Sequence, residues 1–322
     1  VAEEKSKKKE ETELTAQDPV AILSYGRYEL CDCSDHSLQL SAQPHKGLTT
    51  AYSNLIQSVW NAKGKLQANY SFENFYAEQL RKALFSGFKK GVKQALKLSE
   101  GHFPEIDWND TDKTFIRAVE KNVWKFSIVS TQNELLELNA MLKRTSTFSE
   151  FKKLAQTRFP QLNAHLRTEY NQVNLTAQSA SRYLRHKRVA EQGNFLWWEY
   201  QTVNDGRVRD SHKALHGARF KFDDAIWDTI YPPNGWNCRC IVIPRREPNQ
   251  QHAIQNSDQA IEALQENDAF DNMKRFGFDK NPAINPELFR EGTKNFQQHL
   301  PKLTWEGYGL PSTEELIRQS SY

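Results

Sequence analysis

F-L-W-W-E-Y-Q-T-V-N-D-G-R-V-R-D-S-H-K-A-L-H-G, running from Phe195 to Gly217, is where the chain changes texture. Upstream, apolar residues recur at three-and-four spacing. From Phe195 they are aromatic and β-branched and read as a buried strand. N-D-G at Asn204 to Gly206 is a turn signal. Asp210 or Ser211 can cap a short helix running to His216, with Gly217 as its stop. A-R-F-K-F (Ala218 to Phe222) alternates like a second strand. P-P-N-G (Pro232 to Gly235) is a rigid turn, and C-R-C-I-V-I-P (Cys238 to Pro244) reads as a strand ended by Pro244. The fold class expected is α+β and predominantly α-helical: a helical N-terminal region, then a small mixed α/β module with short antiparallel strands.

Working upstream, Leu166, Tyr170, Val173, Ala177, Ala180 and Leu184 alternate by four and three, a seam for packing against other helices. Pro160 suits the first turn of that helix. T-F-S-E at Thr147 to Glu150 is a capping box. A further helix is expected over Lys113 to Arg144, with Phe115, Val119, Val123 and Phe126 on one face. The earliest strong stripe is Phe72, Phe75/Tyr76, Gln79/Leu80, Ala83/Leu84, Phe88, Val92 and Ala95/Leu96. Gly87 and Gly91 sit four apart on it, where small residues let another element come close. Arg182, Arg185, His186, Lys187 and Arg188 end the 166–184 helix. As solvated cations they would complement its dipole. The sharper alternative gives Arg182, Arg185, Lys187 and Arg188 to a nucleic-acid contact.

The 322 residues suffice for one large domain or two ordinary ones. A net charge of +3 does not announce a nucleic-acid binder, and the mean hydropathy of -0.77 is that of a soluble chain. No apolar run approaches the ~20 residues that span a bilayer. Four cysteines in two Cys-x-Cys pairs are too few for a secreted disulfide scaffold and suit a reducing compartment. Residues 1–17 form a mixed-charge tail expected to be disordered. The plan continues with an unassigned segment at 18–48, a helical region at 49–192, the module at 193–284 and an extension at 285–322. There is no internal repeat.

Asn204 to Cys240 concentrates the chemistry: Asp205, Arg207, Arg209, Asp210, His212, His216, Asn237, Cys238, Arg239 and Cys240. Groups this polar are costly to bury unless paired or given a ligand. One reading is a metal site, because His212 and His216 at i,i+4 with Cys238 and Cys240 make a Cys2His2 set for structural zinc. Lys-Ala-Leu between the histidines omits the glutamate a zinc protease needs, and Cys-x-Cys is tighter than the usual pairing. The other reading is a polar lock: Asp205 or Asp210 pairs with Arg207, Arg209 or Arg239, and the cysteines serve as small core residues. Cys238 or Cys240 with His212 and an Asp has the composition of a thiol hydrolase. Geometry, not composition, makes a triad, so no catalytic residue is assigned. C-D-C-S-D-H (Cys31, Cys33, His36) is a loop or a further metal cluster. Phosphate-binding glycine loops are absent from the sequence.

R-T-E-Y (Arg167 to Tyr170), Y-Q-T-V-N-D-G-R-V-R-D-S-H-K-A-L-H-G, W-D-T-I-Y-P-P-N-G-W-N-C-R-C and the later G-F-D-K-N-P occur in that order. Together they resemble the phage Mu F-protein-like head morphogenesis family over about Ser71 to Pro282. The family's characteristic positions fall on Asp205, Arg207, Arg209, His212, Asn237, Cys238 and Cys240. The resemblance implies a minor head protein of a tailed phage or prophage, associated with the portal during assembly and in some relatives linked to genome delivery. Implied partners are the portal protein and other capsid or scaffold proteins, with DNA as a further contact and no membrane. The implied location is the virion, at the capsid interior or portal vertex, after assembly in the bacterial cytoplasm. No family-wide enzymatic activity follows. Two alternatives stand beside this reading: a metal- or thiol-dependent hydrolase or nuclease carried in the virion, and a DNA-binding internal head protein. The segment before Thr49, which starts without Met, reads as the remnant of an upstream fused module.

Overall fold

The computed structural model describes residues 45–98, 110–266 and 268–290. Cys31, Cys33 and His36, the charged tail and most of the 285–322 extension lie outside the described residues. Five helices come first: α1 (Leu48–Asn61), α2 (Tyr70–Leu98), α3 (Asp110–Leu142), α4 (Phe148–Gln156) and α5 (Phe159–Glu191). Next are β1 (Trp197–Gln201), α6 (Asp210–Ala214), β2 (Arg219–Lys221), α7 (Trp227–Ile230) and β3 (Ile241–Arg245). Helices α8 (Ser257–Gln265) and α9 (Ala269–Phe276) complete the described elements. No described helix is long and apolar enough to cross a membrane.

Local signals set these elements as the spacing predicts. Thr147 accepts a hydrogen bond from the Glu150 backbone at 3.2 Å, and the Glu150 carboxylate accepts from the Thr147 backbone at 3.1 Å. That capping box starts α4. Pro160 lies in the first turn of α5. The α2 stripe is buried at Phe72, Tyr76, Leu80, Ala83, Leu84, Phe88 and Val92. Each such large apolar side chain contributes about 1.5–3 kcal/mol relative to exposure.

Helices α2 and α5 make the most extensive interhelical contact, and two glycines permit it. A Cβ on Gly87 would sit 2.2 Å from the Asn174 carbonyl oxygen, and one on Gly91 2.2 Å from that of Gln178. The two backbones therefore approach too closely for any side chain at positions 87 and 91. Asn174 seals the crossing by donating its side-chain amide to the Ala83 carbonyl at 3.0 Å.

The basic end of α5 departs from the expectation of solvated cations. Arg182 and Arg185 are each only 5% exposed, and His186 is 1% exposed. Arg185 reaches Asp112 of α3 at 3.1 and 3.4 Å, and Arg188 reaches the same carboxylate at 3.5 Å. Arg182 donates to Gln94 of α2 at 2.5 Å. Burial, with Arg182 and Arg185 alongside, lowers the pKa of His186 to about 3 and keeps it neutral. A face that packs against two other helices has no room for a solvated shell. Of the residues considered for nucleic acid, only Lys187 and Arg188 retain appreciable exposure.

The three strands form one antiparallel sheet in the order β2-β1-β3. Trp198 lies opposite Phe220 on one side and Pro244 on the other. Pro244 does not end the third strand: β3 begins after Cys240 and continues through Pro244 to Arg245. Proline is tolerated there because β3 is an edge strand. Glu199 in the centre is held by Arg219 at 2.6 Å and Arg245 at 2.9 Å.

The hydrophobic core is continuous from Leu48 to Phe289, across the boundary expected at 192/193. Tyr183 of α5 meets the rings of Trp198 and Tyr231 edge-on, at 5.4 and 5.0 Å between centroids. Residues 285–290, assigned by sequence to an extension, pack back onto α3. Phe289 stacks on Phe126, and Asn122 exchanges hydrogen bonds with the Phe289 backbone at 2.8 and 2.9 Å.

Candidate functional site: a buried Cys2His cluster beside an Asp–Arg fork

Three segments converge on the site. After β1, the N-D-G turn leads into α6, whose N-cap is Arg209 with no side-chain cap bond, rather than Asp210 or Ser211. Asp210 instead takes a hydrogen bond from Lys213 at 2.9 Å on the surface. Helix α6 carries His212 inward. From the other side, the 232–237 turn brings in Cys238 and Cys240. Asn237 turns this chain with φ 52°, a left-handed conformation that asparagine tolerates. Gly235 leaves room for Arg209, whose guanidinium a Cβ would meet at 3.2 Å. Arg209 donates to the Trp236 carbonyl at 3.0 Å and clamps the turn.

The result is a compact buried cluster. His212 Nδ1 lies 3.4 Å from Cys240 Sγ and 3.8 Å from Cys238 Sγ. Both cysteines are free and buried, and one ligand atom from each of the three residues falls within 4.8 Å of the others. The Tyr200 hydroxyl donates to Asn234 Oδ1 at 3.0 Å and borders the Cys240 sulfur. The Asn234 backbone N–H serves the Cys238 sulfur. Hydrogen bonding from Cys240, with His212 beside it, holds Cys238 well below the ordinary thiol range, while the same bond pushes Cys240 up. Burial, reinforced by the nearby sulfurs, holds the Tyr200 hydroxyl protonated.

His216 does not join them. Helix α6 ends before it, with Leu215 as C-cap, so the i,i+4 geometry is not realised. Its Nδ1 instead accepts from the Thr202 backbone at 3.1 Å, and its carbonyl lies 3.2 Å from His252 Nε2. Among the described residues, His212, Cys238 and Cys240 are the one cluster of metal-ligating side chains.

Next to the cluster, the lock takes a definite form. Asp205 and Arg239 make a two-pronged pair at 2.6 and 2.7 Å. Arg207 is mostly exposed and reaches Asp205 only at 3.9 Å, while its backbone N–H donates to Asp205 at 3.0 Å. The Arg239 fork lowers the Asp205 pKa to about 2. The free carboxyl titrates near 3.9, so the pair's stabilisation is present above about pH 4 and fades as pH falls towards 2. A thermal-midpoint series against pH should show wild type above Asp205→Asn at pH 6, with the gap closing by about pH 2. A gap independent of pH would refute the pairing.

Sequence reasoning overlooked Tyr200, Asn234 and Gln172. Gln172 Oε1 on α5 accepts from the Asn237 backbone at 3.1 Å, and Ser179 donates to the Pro232 carbonyl. These bonds fix the cysteine-bearing turn to α5. Gln172 and Ser179 lie beside the Val173–Ala180 seam, but nothing in the spacing says which partner they meet.

The site thus defines a class: a small antiparallel α+β module, clamped to a long helix and closed over a buried Cys–His cluster. Residues 135–243, from the last part of α3 to the middle of β3, match the family described as Phage Mu protein F like protein. Over that span, about a third of its length, the chain is similar to the phage Mu F-like family. Protein F of Escherichia phage Mu, named for capsid assembly, is 47% identical over 77 residues, which are 24% of this chain and 17% of that protein. The F protein of the Mu-like prophage FluMu in Haemophilus influenzae is 45% identical over 92 residues, 28% of this chain and 20% of the relative. An uncharacterized protein of Methanocaldococcus jannaschii is 44% identical over 48 residues, 15% of this chain and 8% of its own. The matched stretch spans a fifth or less of each of these relatives. No solved structure matches the chain.

Proposed function

We propose that this chain is a structural component of a phage or prophage head, acting in capsid assembly at the portal vertex and remaining with the virion during genome packaging or delivery. The observation that carries this reading is the family match over 135–243. It takes in the whole of α5 and the module docked on it as far as the middle of β3. The site's chemistry agrees with a structural role. His212 and both cysteines are at most 6% exposed, and Asp205, the nearby acid, is committed to Arg239. The test is to produce the chain together with the portal and major capsid proteins of its own phage locus and purify the heads. It should co-sediment with heads and co-purify with the portal oligomer. Heads of normal composition and yield that exclude the chain would overturn the proposal.

A further inference from the structure

We infer that His212, Cys238 and Cys240 form a three-ligand site for one thiophilic divalent ion of the zinc class, its fourth position facing a small cavity between the module and α5. The inference does not depend on the head-assembly reading.

The distances carry it. Zinc binds thiolate sulfur at about 2.3 Å and imidazole nitrogen at about 2.0–2.1 Å with tetrahedral angles. Those values place nitrogen and sulfur ligands about 3.5 Å apart. The separations of 3.4 and 3.8 Å straddle that value. A plain N–H···S or S–H···N contact does not require both sulfurs to converge on one ring nitrogen; a shared ion does. The surroundings supply what such a site needs. The Asn234 backbone N–H serves the Cys238 sulfur and the Tyr200 hydroxyl borders the Cys240 sulfur, as groups outside the ligand set orient and tune it. Arg209, clamped on the turn, adds positive charge near the thiolates.

His216 is bonded to Thr202, so the described protein supplies three ligands rather than the four of a closed structural site. A cavity of about 170 Å³ borders both cysteines but not His212. It is also lined by Gln94, Gln178, Ser179 and Arg182. The Arg182 Nε is buried and has no hydrogen-bond partner. Two thiolates and a neutral imidazole cancel the charge of a divalent ion. The Arg182 guanidinium then favours a water-derived hydroxide or a small anion at the remaining vertex.

The test uses the full chain purified without added metal or chelator. Elemental analysis should find about one equivalent of zinc. Cobalt(II) exchanged into the site should show sulfur-to-cobalt charge transfer and the intense d–d bands of tetrahedral coordination. Cys238→Ser, Cys240→Ser and His212→Gln should each abolish stoichiometric binding, whereas His216→Gln should retain it. Azide should shift the cobalt d–d bands, and Arg182→Met should weaken that response by about tenfold or more in azide concentration. A wild-type chain with no bound metal and no cobalt spectrum overturns the site. Loss of metal on His216→Gln, or cobalt bands unmoved by azide, overturns the open vertex.

Discussion

Gly91→Ala should be among the most damaging single-methyl changes this chain can suffer. The added Cβ would lie 1.9 Å from Ser181 Oγ and 2.2 Å from the Gln178 carbonyl oxygen. The hydroxyl can rotate away, but the carbonyl belongs to α5 and cannot move without the helix. Relieving the clash means separating α2 from α5, the most extensive interhelical contact, on helices whose Leu84, Phe88, Val173 and Ala177 are buried. Overpacking costs about 1–3 kcal/mol where side chains can yield. Against backbone the cost should be about 3 kcal/mol or more, outweighing the roughly 1 kcal/mol that alanine gains over glycine in helix propensity. Gly87→Ala, 2.2 Å from the Asn174 carbonyl, should behave alike. Gly206→Ala has nothing within 4 Å and should leave stability unchanged. Urea midpoints of the three variants decide the matter; Gly91→Ala unfolding with wild type would refute the close crossing.

A comparable loss is expected from Asp112→Ala. Asp112 is fully buried and serves Arg185, which is itself buried, and the more exposed Arg188. Removing the carboxylate strands the Arg185 charge beside the Phe88 ring. Uncompensated buried charges of this kind cost about 3–5 kcal/mol. Arg188 can turn to solvent, but Arg185 cannot. The double variant Asp112→Leu/Arg185→Met should recover most of the loss, because an apolar pair of similar volume avoids both desolvation penalties. Denaturant titration of the single and double variants would test this. A double variant as unstable as Asp112→Ala would mean that the ion pair contributes net stability.

These two predictions rest on features of unequal legibility. The α2 stripe and its glycines could be read because a helix repeats every 3.6 residues, so Phe72 to Val92 declare a face whatever they meet. The capping box at Thr147 and the module's order of turn and strand signals were local in the same way. The environment of Arg182, Arg185 and His186 was not local. It depends on Asp112, which is far upstream in the chain, and on Gln94 in α2. A cation at a helix end looks the same in sequence whether it meets water or a buried carboxylate. His216 failed for another reason: i,i+4 spacing presents two imidazoles together only if the helix continues, and Leu215 ends it. His212, Cys238 and Cys240 were identifiable as types, while their convergence needed the turn that Arg209 clamps and Gln172 and Ser179 anchor.

That anchoring has a consequence for how such proteins exchange parts. A segment moved into another chain keeps its fold only if its interior arrives complete. The β1–β3 module cut away at Gly193 would leave behind Tyr183, which packs on its central tryptophan, and both α5 side chains that hold the cysteine-bearing turn. The transferable cassette is therefore α5 together with the module. A chimera joined upstream of Phe159 should inherit the Cys–His cluster intact, and one joined after Glu191 should not.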